Sequence, residues 1–182
     1  KEESLLSLLS SGGTYREDMF QRDLQALQLT YLDRGYINVK VGKPSISLSP
    51  DRRFLFVAIP IEEGEQYRIG KSGFSGKMLG EDARLPGLVK AKSGDVFSSS
   101  VVRNDLQAVA DVYRDRGYAN ANVVPMTQVD AKTRIIDIEY EIQPGGLVRF
   151  ERIEIAGNTK TRDKVIRREL RIYEGELFSG TG

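Results

Sequence analysis

Neither cysteine nor histidine occurs in this chain. Without cysteine there is no disulfide, no zinc thiolate and no thiol nucleophile. The absence does not fix the compartment, because a periplasmic protein also manages without cysteine. Without histidine the commonest general base and the commonest transition-metal ligand are missing. Carboxylates, Lys, Ser and Tyr remain, but there is no nucleophile elbow and no phosphate loop. Surplus basic charge is missing too. A nucleic-acid binder concentrates Lys and Arg on one face; here 27 basic residues are interleaved with 26 acidic ones. No run approaches the roughly 18 apolar residues of a membrane helix. Lys1-Glu2-Glu3-Ser4 is not the start of a signal peptide, and a helical run follows at once, as in a piece cut from a longer chain. What is present is 182 residues, 40% hydrophobic and 29% charged, the composition of a globular protein rather than a disordered one.

The main organising feature is an internal repeat. Asp23-Leu24-Gln25-Ala26-Leu27 returns 82 residues later as Asp105-Leu106-Gln107-Ala108-Val109. Tyr31, Arg34, Gly35, Tyr36 and Asn38 return as Tyr113, Arg116, Gly117, Tyr118 and Asn120. Further along the offset falls to 81, pairing Gly64 with Gly145, Arg68 with Arg149, Gly76 with Gly157 and Gly94 with Gly175. One deletion in a loop between strands accounts for the change.

Within the unit the hydrophobic period switches. Residues 14–34 read as a helix, with Phe20, Leu24, Leu27 and Tyr31 on one stripe and Val102, Leu106, Val109 and Tyr113 on its copy. Thr14 with Glu17 fits a capping box, and Gly35 and Gly117 sit where the chain leaves the helix through a left-handed residue. The extended runs Ile37–Ser47 and Ala119–Gln128 contain Pro44 and Pro125, which marks them as edge strands. Leu55, Val57, Ile59 and Ile61 alternate with other residues, as do Ile136, Ile138, Tyr140 and Ile142, the period of a strand buried on one face. Turns at 49–52 and 130–132 join the two strands into hairpins. A further strand runs from Gln66 to Gly76 and again from Leu147 to Gly157, with a change of phase that predicts a bulge or a twist in the strand. Short helices follow near 81–91 and 162–172, the second with Thr161 as N-cap. The unit is therefore strand, short helix, long helix, strand, strand: an α+β fold with two helices on one face of a three-stranded mixed sheet. We expect a unit over 1–64 that lacks its first strand, a complete unit over 65–145, and a truncated unit over 146–182.

This order of elements, repeated at about 80 residues, resembles the POTRA (polypeptide-transport-associated) domain of BamA-type proteins. Tyr31-Leu32-Asp33-Arg34-Gly35-Tyr36 and Tyr113-Arg114-Asp115-Arg116-Gly117-Tyr118 look like the family's helix-end signature. Arg152-Ile153-Glu154-Ile155-Ala156-Gly157-Asn158-Thr159, followed by Val165-Ile166-Arg167-Arg168-Glu169-Leu170, looks like a domain opening. Glu62-Glu63-Gly64-Glu65-Gln66-Tyr67 looks like a junction between neighbours. The resemblance covers nearly the whole chain, and the three copies look most like the third to fifth of five such domains. It implies a non-catalytic binding and scaffolding module without a cofactor, in the periplasmic part of an outer-membrane protein. The membrane itself would be engaged only through a barrel that this sequence does not contain. The implied partners are unfolded outer-membrane proteins and accessory lipoproteins. A TamA-like or two-partner-secretion transporter is the alternative, with an unrelated nucleic-acid-binding or enzymatic repeat as the rival from another class.

Two sets of residues carry these partner expectations. An edge strand leaves backbone donors and acceptors to which another chain can add. The candidate client edges are Ile37, Asn38, Val39, Lys40 and Val41, and Ala119, Asn120, Ala121, Asn122, Val123 and Val124. Pro44, Pro125, Lys40 and Lys43 can equally be read as protection of those edges. In the family, the domain nearest the barrel docks a lipoprotein through its first helix and the turn after it. The matching positions are Arg167 and Glu174, for which a solvated helix face is the other reading. Gly73-Phe74-Ser75-Gly76 matches the GxxG spacing of a loop that clamps nucleic acid, a weak match with no basic surplus around it. Asp51, Asp95, Asp130 and Asp137 share no repeated spacing and read mainly as turn residues.

Overall fold

The computed structural model describes residues 17–80 and 83–179. These fall into two compact units: one runs to Arg68 and takes in Val96–Ser99, and the other comprises Ile69–Asp95 and the residues from Ser100 onwards.

The first described element of the first unit is α1, Glu17–Leu32. Its Phe20, Leu24, Leu27 and Tyr31 are half-buried, as the periodicity predicts. The Thr14 half of the expected capping box lies outside the described residues. Tyr36 N–H donates to the Tyr31 carbonyl at 3.1 Å as the chain leaves the helix, and Gly35 there has a left-handed φ of +86°. The Tyr36 ring meets Tyr31 edge-on at 5.8 Å, closing the corner. Four short strands follow: β1 (Lys40–Val41), β2 (Ser45–Leu48), β3 (Leu55–Ala58) and β4 (Ile61–Glu62). β1 pairs with β4 and β2 with β3, both antiparallel. The sequence predicts two long strands here, and each is cut in two. Pro44 interrupts one and Pro60 the other, and neither has an N–H for the ladder. Gly42 N–H reaches the Pro60 carbonyl at 2.8 Å across the gap.

The second unit contains β5 (Arg68–Gly76), α2 (Leu85–Leu88), α3 (Ser99–Arg114), β6 (Asn122–Asp130), β7 (Ile135–Gln143) and α4 (Asp163–Glu169). The sheet order is β5-β7-β6, so β7 is central and β5 and β6 are edges. β6 and β7 form an unbroken antiparallel ladder from Asn122↔Gln143 to Asp130↔Ile135. The alternation read from the sequence sends Ile136, Ile138, Tyr140 and Ile142 inward, and all four are buried. Val102, Val109 and Tyr113 of α3 are buried too. The predicted change of phase lies in β5: Ile69 is buried and Phe74, at an odd spacing from it, stacks on Tyr140 at 5.4 Å. Between them Lys71 N–H donates to Asp137 Oδ1 at 2.6 Å. Asp137 is therefore a cross-strand acceptor rather than a turn residue. α2 is a single turn, shorter than expected, because Pro86 and Gly87 disfavour its extension. The N-cap of α4 is Arg162, with no side-chain cap, which corrects the expectation for Thr161. Thr161 instead offers its carbonyl to Asn158 Nδ2 at 3.1 Å.

Candidate protein-interaction edges

Each helix end, strand start and pre-helical segment meets in a backbone arrangement that occurs twice. Tyr67 N–H donates to the Gly35 carbonyl at 2.8 Å, and Phe97 N–H donates to the Tyr67 carbonyl at 3.1 Å. In the copy, Val148 N–H reaches Gly117 at 2.7 Å and Phe178 N–H reaches Val148 at 2.9 Å. The next residues continue the pattern. Ile69 exchanges bonds with Gly94 and Asp95, and Phe150 does so with Gly175 and Glu176. Asn38 and Asn120 pack over Gly64 and Gly145, both left-handed at φ +74°, where a Cβ would stand 3.3 and 3.5 Å from the asparagine Cβ atoms.

The candidate edge residues divide sharply. Ile37 and Asn38, like Ala119 and Asn120, lie in a turn rather than in a strand. Val39 and Ala121 are buried, and their N–H groups donate back to the carbonyls of Tyr36 (3.3 Å) and Tyr118 (2.8 Å). Those two donors are spent, so an added strand finds none there. Lys40 and Val41 are in β1, and Asn122, Val123 and Val124 begin β6. Lys40 is ion-paired to Glu62 at 3.4 Å on an exposed surface, a contact worth well under about 1 kcal/mol. The β6 edge extends further than expected, through the exposed Met126 to Asp130.

Arg167 and Glu174 are brought together at the end of α4. Arg167 Nη1 lies 3.2 Å from Glu174 Oε1, and Nε lies 2.7 Å from Asp163 one turn earlier. Both partners also hold the backbone of Ile153: Arg167 Nη2 donates to its carbonyl at 2.6 Å, and its N–H donates to Glu174 Oε1 at 3.0 Å. The Ile153 N–H, and then the Arg167 guanidinium, hold the Glu174 carboxyl below its ordinary range. Asp163 first, then Glu174, raise Arg167 further.

Sequence reasoning missed one polar residue of the core. Asp105 is only 1% exposed and accepts the backbone N–H groups of Lys90 and Ala91, both at 2.9 Å. The Tyr140 hydroxyl donates to it at 3.4 Å, and burial, then the Asp105 charge, push that phenol above its usual range. The signal was the return of Asp23 as Asp105 at the same helix position. Gly73-Phe74-Ser75-Gly76 lies in β5, where a Cβ on Gly76 would stand 2.3 Å from the Ile142 carbonyl. That glycine serves close strand approach, not a nucleic-acid clamp. No cluster of metal-ligating residues and no helix long and apolar enough to cross a membrane occur among the described residues.

A backbone arrangement that returns at the offset of the sequence repeat is the mark of a tandem-repeat protein. The chain belongs to the POTRA family, whose profile, described as a surface antigen variable number repeat, matches residues 1–64, 67–145 and 148–181. It is 33% identical over 183 residues to outer membrane protein assembly factor BamA of Nitratidesulfovibrio vulgaris, covering 98% of this chain and 23% of that protein. With BamA of Neisseria meningitidis it shares 27% identity over 178 residues, covering 97% of this chain and 22% of the relative. The chain thus spans less than a quarter of those relatives. The crystal structure of Haemophilus influenzae BamA POTRA3-5 superposes with a TM-score of 0.75 at 26% identity, covering 92% of this chain and 66% of that one. The α+β fold and the resemblance to a BamA-type POTRA tandem are borne out.

Proposed function

We propose that the chain is a periplasmic binding and scaffolding module of an outer-membrane β-barrel assembly factor. It comprises an incomplete unit over 1–64, a complete one over 65–145 and a truncated one over 146–182. It engages unfolded clients by strand addition at its sheet edges and docks an accessory lipoprotein at the end of α4, near Arg167 and Glu174. The observation that carries this reading is the sheet order, which among the described residues leaves β6 paired on one side only along the ladder from Asn122 to Asp130. Backbone pairing at such an edge demands only an extended partner of alternating pattern. The name of the relatives, an assembly factor of the outer membrane, supplies the class of client. Of the edge residues singled out by sequence, Asn122, Val123, Val124, Lys40 and Val41 sit where a strand can add.

A photocrosslinker at Met126 of β6, in the full-length protein, tests the client site. Adducts with unfolded outer-membrane proteins should be several-fold more abundant there than at the exposed Arg103 on α3. Equal yields at the two positions would remove strand addition. For the docking site, Glu174→Lys should weaken lipoprotein co-purification while Glu169→Lys, on the same helix, should not. Undiminished recovery with Glu174→Lys would remove the site.

A further inference from the structure

Ile153 stands in the third repeat where Ser72 stands in the second, at the same 81-residue offset. Arg167 and Glu174 likewise stand where the second repeat has Pro86 and Ser93. In the second repeat these positions, with Phe74 and Val89, line an open groove of about 250 Å³ along the outer edge of β5. In the third repeat the same place is occupied by the ion pair; the strand expected over 147–157 is not formed among the described residues, only Arg149 bridging to Leu177, and Ile153 lies in an unpaired segment.

The bonds of that pair have a specific form. In an extended chain the N–H and C=O of one residue point to the same edge, and a paired strand would satisfy both together. Arg167 gives an N–H to the Ile153 carbonyl, and Glu174 gives an oxygen to the Ile153 N–H. Two side chains thus supply the donor and acceptor that a neighbouring strand would bring. Phe150 of the same segment is held on its edge by the backbone of Gly175 and Glu176. Ile69 is held in the same way by Gly94 and Asp95, but beyond it the second repeat has no counterpart of the ion pair.

We propose that Arg167 and Glu174 act together as a surrogate strand, closing the edge at Ile153 to added polypeptide, while the matching edge at Ser72 stays open to an extended one. The ion pair is then an edge guard peculiar to the third repeat, with side-chain charges replacing the lysines and prolines that usually blunt an edge. Its partner class rests on the strand-addition reading above, whereas the protection of Ile153 does not.

Amide exchange on the full 182-residue chain tests the clasp without any client. The Ile153 N–H should exchange at least about tenfold more slowly than an open amide, the size of one charge-assisted hydrogen bond. Glu174→Ala should abolish that protection; Glu174→Gln, which keeps an acceptor, should retain part of it. An unprotected Ile153 amide in the unaltered chain overturns the proposal whether or not any variant folds. The second arm uses an extended, alternating apolar peptide carrying a nitroxide. It should broaden the amide signals of Ser72 and Phe74 in the unaltered chain and leave Ile153 sharp. It should broaden Ile153 only in the Arg167→Met/Glu174→Ala variant. Broadening of Ile153 in the unaltered chain overturns the guard, as does its absence in a variant that retains signal dispersion. Sharp Ser72 signals overturn the open edge. Loss of strand addition at β6 with Ile153 still protected would instead sink the client reading alone.

Discussion

Asp105 shows how much one side chain can fix. Its carboxylate gathers two backbone donors from the segment after α2 and one phenol from β7, so three elements meet on a single group. Removing it leaves buried N–H groups with no partner, the expensive half of a hydrogen-bond loss. Asp105→Ala should lower unfolding stability by about 2–4 kcal/mol in urea titration, and Asp105→Asn, which keeps only one acceptor, by somewhat less. A change within about 0.5 kcal/mol would show that the loop finds other partners. The hairpin tips carry a second residue-scale device. Asp51 accepts from the Ser49 hydroxyl and the Arg53 N–H, and Asp130 from the Thr133 hydroxyl and the Lys132 N–H. Those hydroxyls, then those amides, hold both carboxyls below the ordinary Asp range. A lowered folded pKa favours the native state above the unfolded value and loses that contribution as pH falls through the folded one. Carboxyl carbon shifts followed through acid should therefore give midpoints for both residues below the ordinary Asp range. Ordinary midpoints would mean that the tip bonds are not populated in solution.

At the scale of elements, the repeated junction depends on glycine. Gly35 and Gly117 are both left-handed, and a Cβ on Gly35 would stand 2.7 Å from the Tyr67 carbonyl oxygen. At Gly117 the nearest atoms are the flexible ends of Leu177 and Leu147, at 3.0 and 3.3 Å. Alanine at either position carries the left-handed strain of about 1–2 kcal/mol, but only Gly35→Ala must also push backbone aside. Gly35→Ala should therefore cost more than Gly117→Ala in urea unfolding, and it should speed amide exchange at Tyr67. Equal costs would place the whole effect in the turn. These glycines were legible in the sequence because both copies carry them after the same helix. The β6–β7 hairpin was legible for the same kind of reason, since four inward residues of β7 alternate without a break. What sequence did not reveal depends on partners far along the chain. Asp137 reads as a solvated residue until β5 is laid beside it. Val39 and Ala121 look like strand donors until the turn after the helix takes their N–H groups. Arg167 and Glu174 were singled out together, but their hold on Ile153 needs the third dimension.

At the scale of the molecule, the same hydrophobic pattern has two fates. Val57 and Ile138 occupy the same place in two copies of one strand, yet Val57 is 41% exposed and Ile138 only 1%. In the second unit Tyr140 on that face meets Asp105 of α3 and stacks on Phe74 of β5, and Leu85 of α2 and Val109 of α3 are fully buried. Among the described residues the first unit has α1 but no counterpart of β5 or α2. Pattern alone therefore specifies which face is apolar, while burial waits on the elements that close over it. The difference has a measurable consequence. Truncating a fully buried Ile to Ala costs about 2–5 kcal/mol, from lost transfer and the cavity left behind. Truncating a side chain that is already half in water forfeits little of either. Ile138→Ala should thus lower the urea midpoint of the second unit strongly, and Val57→Ala should lower that of the first by less than about 1 kcal/mol. Amide signals assigned to each unit report the two transitions separately. A comparable loss at Val57 would mean that its face is covered in solution, and the segment whose signals shift with Val57→Ala would identify the cover.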